Sequence, residues 1–237
     1  MIGLAALAAL AVTAQGQSID SYVQKNFEDA NFTARVKFAN QKELSKINKD
    51  FGQSYRFSSV EFKVKEPFKV RADANVEDTK VLYITNGTKQ LIRIPRIKVN
   101  SHQDLSKSPG RRQTLLDFGV LTPSLFDDFF VAKFVRMDRA TGDAVFDLTY
   151  VPALDDTTRH RIWVDPQKKY VTRREWYSQR GGKQLATFYY TDPVNAGGVW
   201  MPSHVSVKNV EGVLAGETYY DGLKINSGIP DSLFSTN

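Results

Sequence analysis

The sequence predicts a mainly β fold in which some eleven to thirteen antiparallel strands curl into one wide sheet. Residues 57–73 alternate between apolar and polar, which indicates a β-ribbon with one dry face and one wet face. Turn signals recur about every 8 to 12 residues in the second half of the chain, a spacing typical of antiparallel barrels and sandwiches. One region, residues 109–130, is too densely apolar for a half-exposed strand.

The first sixteen residues predict a secretory signal peptide. An uncharged apolar run from Ile2 to Val12 precedes small residues, and Ala14 and Gly16 fit the −3 and −1 positions of a signal-peptidase site. The run is shorter than the roughly 20 residues that a transmembrane anchor needs. We therefore expect cleavage after residue 16 and a soluble product in the periplasm. Residues 17–237 contain no proline-, glycine- or serine-rich linker, which favours a single domain.

Composition excludes several classes of function. The chain has no cysteine, so a disulfide framework, a thiol nucleophile and a cysteine-ligated metal are excluded, and so is lipid attachment at an amino-terminal cysteine. The net charge of +6 comes from dispersed lysines and arginines, whereas a nucleic-acid surface needs clustered basic residues interleaved with aromatic ones. We expect no nucleic-acid partner. A mild, transient attraction to anionic membrane lipids fits the charge.

The first elements after the signal are predicted from periodicity. Residues 18–30 carry an apolar stripe at helical spacing behind Ser18, which predicts a short amphipathic helix. A strand with one apolar side follows, then a polar connection over residues 41–53 and the ribbon of residues 57–73. The break in the ribbon at Glu66-Pro67 is where proline would bend or end a strand. The apolar sides consist of Ile19, Tyr22, Val23, Phe27 and Ala30 in the helix, Phe32, Ala34, Val36 and Phe38 in the strand, and Val60, Phe62, Val64, Phe68, Val70 and Ala72 in the ribbon.

Later hairpins are predicted from their turn residues. Asn86-Gly87 between two apolar runs is the strongest such signal, because both residues tolerate positive φ. Further turns are predicted at residues 140–142, 165–167, 180–182 and 211–212.

The apolar region predicts two short helices between strands, the second beginning at Thr122-Pro123 and running to about Phe130. A curled sheet of eleven or more strands is too wide for its own side chains to fill, since about eight strands can be filled. The hollow must therefore hold the amino-terminal helix, the inserted helices or a ligand.

Catalytic and metal-binding motifs are absent from the sequence: there is no nucleophile elbow, phosphate loop, two-histidine metal helix or calcium loop. His102, His160 and His204 stand in separate segments. Asp155 and Asp156 precede His160, and a carboxylate near an imidazole could orient it as a base, but we favour an exposed strand start after a loop. The pair Asp127-Asp128 fits the wet side of a helix. Trp163, Trp176 and Trp200 suit either a sugar platform or buried sheet positions. We expect no catalytic residue, metal or cofactor.

The order of these elements along the chain resembles that of a known protein family. A signal sequence, an amphipathic helix, "FTARVKF", "VEFKVKEPFKVRAD", "LYITNGTKQLIRI", an apolar insertion and "IWVDPQKKYVTRREWYSQRGGKQLATFYY" together resemble the periplasmic outer-membrane lipoprotein carriers, the LolA-like family. "GVWMPSHVSV" and "YYDGLKINSGIPDSLF" resemble the distal strands of the lipoprotein-sorting branch. The resemblance covers nearly all of residues 17–237.

The resemblance implies a curved antiparallel incomplete β-barrel of about eleven strands, closed by short α-helices around an apolar cavity for acyl chains. It also implies an acylated lipoprotein or lipid as cargo, exchanged with an inner-membrane transporter and an outer-membrane receptor. In the carrier, an arginine before the strand-breaking proline is associated with holding the helical lid shut. This sequence has Lys65-Glu66 before Pro67, so the role of that arginine cannot be assigned to a residue here. On this basis the predicted ligand-binding residues are Phe38, Val60, Phe62, Val64, Phe68 and Val70 as cavity wall, with Leu116, Phe126 and Phe129 as lid.

Two alternatives remain open from the sequence. A non-transporting sensor or interaction module of the cell envelope could use the same half-barrel, and it would purify without lipid. An enzyme acting on envelope polysaccharide would lose activity on substitution of His160 or Asp155.

Overall fold

The structure is a computed structural model that describes residues 17–76, 78–179 and 181–237. The predicted signal peptide lies outside the described residues. Within these ranges all thirteen strands form one antiparallel sheet, which is not closed into a barrel. The strands are β1 Asp29–Ala39, β2 Ser59–Lys65, β3 Lys69–Val76, β4 Thr79–Asn86, β5 Lys89–Ile94, β6 Val99–Asp104, β7 Phe130–Met137, β8 Ala144–Tyr150, β9 Arg159–Val164, β10 Val171–Tyr177, β11 Gln184–Ala196, β12 Val199–Asn209 and β13 Leu214–Ile225.

The strand order determines how the inner face is covered. The order is β6-β5-β4-β3-β2-β1-β13-β12-β11-β10-β9-β8-β7, so the chain starts in mid-sheet and runs outward to the β6 edge. It then crosses to the opposite edge at β7 and returns strand by strand until β13 pairs with β1. Residues 105–129, which connect the two edges, therefore have to pass over the sheet. Their apolar composition follows from this path, because they lie on an apolar face.

Helical structure is short. Two α-helices, α1 Gln41–Ile47 and α2 Lys49–Gln53, follow β1. The remaining helical elements of the described residues are 3₁₀ turns at Ile19–Ser21, Ser54–Arg56, Pro95–Ile97, Pro109–Arg111, Leu115–Phe118, Pro123–Phe126, Pro152–Leu154 and Asp231–Phe234. No helix in the described ranges is long and apolar enough to cross a membrane.

The predicted hairpins are confirmed. Residues 86–87 lie at the β4–β5 connection, where Gly87 has a φ of +60°. Residues 140–142, 165–167 and 211–212 lie in the β7–β8, β9–β10 and β12–β13 connections, and Gly181 and Gly182 lie in the β10–β11 connection. The ribbon of residues 57–73 is the β2–β3 hairpin, which turns at Glu66-Pro67.

The helix predictions need three corrections. The predicted helix over residues 18–30 is wrong: it is a 3₁₀ turn at Ile19–Ser21, and β1 has begun by Asp29. The two helices predicted in residues 109–130 are 3₁₀ turns, although the second does begin with Pro123 after Thr122. The polar connection of residues 41–53 holds α1 and α2. In the first two cases tertiary contacts with the sheet, rather than local periodicity, decide the backbone conformation.

The core lies mainly on one face of the sheet, which we call the inner face. It joins side chains of the strands to those of residues 19–27, the two α-helices and residues 115–130. A second, small cluster lies on the outer face, where the carboxy-terminal segment packs on β4 and β5 through Ile84, Leu91, Ile229 and Phe234. Asp29, 1% exposed, fixes that segment by accepting hydrogen bonds from the backbone amides of residues 227–229.

Candidate functional site

The inner face is the candidate functional site because aromatic side chains line it and separate chain segments cover it. In an antiparallel sheet, directly opposed residues share a face. Phe32 of β1 is opposed to Phe62 of β2, and their rings stack with centroids 5.5 Å apart. Tyr220 of β13 contacts Phe32 at 4.5 Å. The middle of the sheet thus presents a continuous aromatic surface.

The predicted wall residues differ in burial. Val64 and Val70, opposed across the β2–β3 hairpin, are 0% and 1% exposed. Phe62 and Phe68 are half-buried and pack against the core, and Val60 is half-buried. Phe38, near the end of β1, is 40% exposed and lies outside the core cluster. Their contact with a ligand stays a prediction.

Residues 114–129, which we call the cover segment, include the predicted lid. Leu116 and Phe129 are each 1% exposed, and Phe126 is half-buried against the core. Phe118 makes the most central contact: its ring meets Phe32 and Phe62 edge to face, at 5.4 and 5.1 Å. The sequence did not single out Phe118, although it lies in the apolar run that predicted the insertion.

The amino-terminal segment, residues 17–27, ties the cover segment to the sheet. The backbone amide of Gln24 donates to the carbonyl of Leu121 at 2.8 Å. The side-chain amide of Gln24 bonds both backbone groups of Trp200 in β12, accepting from the amide nitrogen at 3.0 Å. Tyr22 reaches the opposite end of the sheet and meets Phe146 edge to face at 5.2 Å.

The two α-helices and the turn after them cover another part of the inner face. Phe51 of α2 packs against Trp176 at 6.3 Å and Phe188 at 5.7 Å. Tyr55 packs against Gly216 of β13, where a Cβ would stand 2.4 Å from the Tyr55 ring. Burial raises the pKa of Tyr55 to about 12, so its phenol is neutral under ordinary conditions.

Glu66, which directly precedes Pro67 in the β2–β3 turn, contacts the cover segment. Its carboxylate accepts a hydrogen bond from the hydroxyl of Ser124 in the Pro123–Phe126 turn. The contact joins the β2–β3 turn to the cover segment without a basic residue at this position.

A buried ion pair that the sequence did not reveal lies deeper under the cover segment. Arg174 of β10, 6% exposed, donates through Nη1 to the Asp117 carboxylate of the Leu115–Phe118 turn at 2.8 Å. The guanidinium also lies over the Phe188 ring at 4.2 Å. Asp117 accepts a second hydrogen bond, at 2.9 Å, from the backbone amide of Thr114. This pair links the sheet to the cover segment beside the backbone hydrogen bond from the Val171 amide to the Gly119 carbonyl at 2.9 Å.

Three further polar groups lie around Arg174: Tyr150, His160 and Tyr190, which with Arg174 and Asp117 form what we call the Arg174 cluster. Burial lowers the pKa of His160 well below its ordinary value, and the charges of Arg174 and Arg159 lower it further. Burial raises the pKa of both tyrosines, so these phenols and the imidazole are neutral at pH 7. The charge of the cluster is therefore that of the ion pair.

A second cation lies under the other end of the cover segment. Arg112 is half-buried between the rings of Phe68 and Phe129, its Cζ 4.8 and 4.6 Å from their centroids. These two rings meet edge to face at 5.1 Å. A predicted wall residue and a predicted lid residue are thus in contact, and the cation strengthens their attachment.

Side chains of the chain itself occupy the inner face in this conformation. Two cavities, of about 300 and 350 Å³, lie elsewhere. The first is bounded by residues 23–26, 167–169 and 198–199, and the second by residues 89–90, 102–104 and 236–237. Both are open and largely polar in their lining residues. On the inner face, side chains of the cover segment, the amino-terminal segment and the two α-helices pack against the sheet.

The structure does not bring the other candidate residues together. His160 is buried whereas Asp155 is exposed in a turn with a φ of +48°. Trp163 and Trp176 lie on opposite faces of the sheet, Trp176 on the inner face against Phe51, which argues against a shared sugar platform. His102 and His204 lie on separate strands, β6 and β12, away from the Arg174 cluster. Among the described residues, no group of three metal-ligating side chains could hold an ion.

Solved structures share this fold at low sequence identity. A LolA superfamily protein from Nitrosomonas europaea superposes with a TM-score of 0.59 and 13% identity, over 91% of this chain and 93% of that one. A putative outer membrane lipoprotein-sorting protein domain from Vibrio parahaemolyticus gives 0.61 and 12%, over 92% and 93%. A DUF1329 family protein from Desulfovibrio piger gives 0.58 and 12%, over 92% of each chain. The fold is LolA-like.

Sequence comparison identifies the family. No curated protein matches the chain. The family model for DUF1329, described as "Uncharacterized protein", matches residues 117–237, from the middle of the cover segment to the last residue. Because this match spans just over half of the sequence, the chain belongs to the DUF1329 family.

Proposed function

We propose that this protein is a periplasmic carrier that holds lipid or lipoprotein acyl chains on the inner face of its sheet, for lipoprotein sorting to the outer membrane. The observation that carries the proposal is the nature of the covering layer. The sheet's aromatic inner face is covered by turns of three or four residues and by two α-helices of seven and five residues, instead of by a second sheet or long helices. Such turns have little stability of their own and depend on docking, so they can leave the sheet while it stays folded.

Docking of the cover segment and burial of an acyl chain on the inner face contribute similar free energies. The cover segment buries seven large apolar side chains, Leu115, Leu116, Phe118, Val120, Leu121, Leu125 and Phe129. Burying each contributes roughly 1.5 to 3 kcal/mol, or about 10 to 20 kcal/mol together, before ordering costs. An acyl chain of about sixteen carbons gains about 13 kcal/mol at about 0.8 kcal/mol per CH₂. Exchange of one for the other is therefore close to balanced, as reversible loading requires.

The fold neighbours support this proposal. One bears the name LolA superfamily protein and another that of a lipoprotein-sorting domain. The proposed partners are an acylated lipoprotein or lipid, an inner-membrane donor and an outer-membrane acceptor, with transient membrane contact. The predicted wall and lid residues are the proposed contacts, and the function requires no catalysis, metal or cofactor.

The experiment is native mass spectrometry of residues 17–237, exported and gently purified, followed by extraction and identification of any lipid. The carrier proposal expects a bound acyl lipid in a fraction of the molecules and uptake of added lipid by the rest. Protein that is free of lipid and takes up none would contradict it.

A second candidate is a non-transporting sensor or interaction module of the envelope. The filled inner face favours it, because the described conformation has side chains where a carrier would hold cargo. This candidate predicts no lipid uptake in the same experiment.

A further inference from the structure

The inner face carries a buried cation on β10, the fourth strand from the β7 edge. Arg174 lies on β10, opposed to Ile162 of β9 and to Phe188 of β11, and is 6% exposed. A site for an acyl chain alone has no need of a guanidinium, which is costly to bury. Its position therefore calls for an explanation beyond packing.

Two buried nitrogen atoms of this region have no hydrogen-bond partner. Nη1 of Arg174 has the Asp117 carboxylate as partner, but Nε of the same side chain, a donor, is buried without one. Nδ1 of His160, 7% exposed on the neighbouring strand, is also buried without a partner. A buried polar atom without a hydrogen bond is costly. Nε of Arg174 therefore has unused capacity to bind an acceptor.

The acceptor now present belongs to the part that has to move. Asp117 lies in the cover segment, and its side chain reaches Arg174 from the Leu115–Phe118 turn. Displacement of the cover segment removes this carboxylate, and a ligand that then covers the inner face buries the guanidinium without a counter-ion, which is costly. A ligand that supplies its own oxyanion at Arg174 avoids that cost, whereas an uncharged ligand does not.

We infer that the cargo is an anionic amphiphile, an acyl chain ending in a carboxylate or phosphate, whose oxyanion takes the place of Asp117 at Arg174. The inference rests on the proposed function and specifies its ligand class. Asp117 occupies the anion position in the closed state, and the tail takes the apolar surface that the cover segment leaves. In the empty protein the Arg174–Asp117 pair thus favours the docked cover segment. In the loaded protein Arg174 favours an anionic ligand over an uncharged one.

The test compares ligands that share a tail and differ in the head. Displacement of phenylnaphthylamine, an uncharged fluorescent probe, measures binding of oleate, oleoyl lysophosphatidic acid, oleyl alcohol and monoolein below their aggregation concentrations. The two anions distinguish a carboxylate from a phosphate source. We expect at least one of them to bind about tenfold or more tightly than the uncharged pair, the selectivity of one charged hydrogen-bonded contact.

Variants locate the selectivity. Arg174→Gln should abolish the preference for anions, and Asp117→Asn, which removes the internal competitor, should strengthen anion binding more than alcohol binding. Arg161→Gln is the matched control, because Arg161 is an outer-face arginine paired with Asp147 at 2.8 Å, and the variant carries the same change in charge. It should leave the preference unchanged. Should Arg174→Gln fail to fold, Asp117→Asn alone decides.

The outcomes separate this inference from the proposed function. Equal binding of anionic and uncharged ligands, or a preference that survives Arg174→Gln, overturns the anion site and leaves the carrier intact. Binding of none of the four ligands overturns the carrier, and the inference with it.

Discussion

Substitution of Phe118 by alanine tests whether the cover segment competes with an acyl chain for the inner face. Phe118 is 3% exposed, and its ring contacts Phe32 and Phe62 edge to face and Tyr220 at 6.3 Å. No other aromatic residue of the cover segment has a described ring contact with these three residues. The variant therefore weakens closure at the centre of the sheet without altering the strands.

The expected magnitude follows from burial. Phenylalanine-to-alanine changes in a core cost about 3 to 5 kcal/mol, which includes the ring pairs at about 0.5 to 1.5 kcal/mol each. If docking of the cover segment and binding of an acyl chain exclude each other, the stability that the docked segment loses appears as a higher apparent affinity for the acyl ligand. The gain ends when the docked state is no longer the main population. With about 1.4 kcal/mol for each factor of ten, affinity should rise tenfold to about a hundredfold.

The assay is direct titration with phenylnaphthylamine, together with urea denaturation to measure the loss of stability. Phe234→Ala is the matched control: Phe234 is 0% exposed but lies in the outer-face cluster with Ile84 and Leu91. It should lose similar stability with no gain in affinity. If Phe118→Ala binds the probe no better than this control does, the cover segment does not compete with ligand, and the reasoning fails.

Three further predictions concern stability and are measured by denaturation. The pKa of His160 is lower in the folded than in the unfolded state, so its contribution to the free energy of unfolding is complete above about pH 6.5 and is lost as the pH falls below that value. The free energy of unfolding should then fall by up to about 1.4 kcal/mol per pH unit, and this dependence should vanish in His160→Gln. The same pH dependence in the variant as in the wild type would refute the prediction. Gly119→Ala should cost about 1 to 3 kcal/mol, since Gly119 has a φ of +77° and its Cβ would stand 2.9 Å from the Tyr190 ring; a neutral result would show that the cover segment is loosely docked. Asp29→Ala should release the carboxy-terminal segment, seen as faster amide exchange at Ile229, because it removes three backbone hydrogen bonds of which one, to the Ile229 amide, is 2.8 Å; continued protection there would contradict the assignment.

The strands and their turns could be predicted from the sequence because their causes are local. Alternation over residues 57–73 and the turn residue Gly87 specify hairpins without reference to distant chain. The sequence of residues 41–53 does contain local helix signals, although its polar composition favoured the prediction of a connection without helices. Asn40 caps α1 by accepting from the Glu43 amide, and Leu44 and Ile47 are spaced for one buried helix face.

The rest depends on long-range contacts. The apolar stripe of residues 18–30 is buried as predicted, with Phe27 4% exposed, but it packs as a 3₁₀ turn and extended chain because the adjoining strand begins before a helix could complete its turns. Arg174 is separated from Asp117 by 57 residues and stands in "VTRREWY", where alternation alone does not tell which arginine faces inward. The space left free on the inner face cannot be predicted from the sequence either, because it depends on the path that residues 105–129 take between the two sheet edges.

The displacement of the cover segment by ligand can be measured directly. The chain has no cysteine, so Asp127→Cys and Lys224→Cys, both at exposed positions, would carry the only two spin labels, one on the cover segment and one on β13. Double electron–electron resonance should give one narrow distance for the empty protein and a longer, broader distribution on saturation with oleate. Oleate that binds while this distance stays unchanged, or a protein that binds none of the four ligands, would contradict the account.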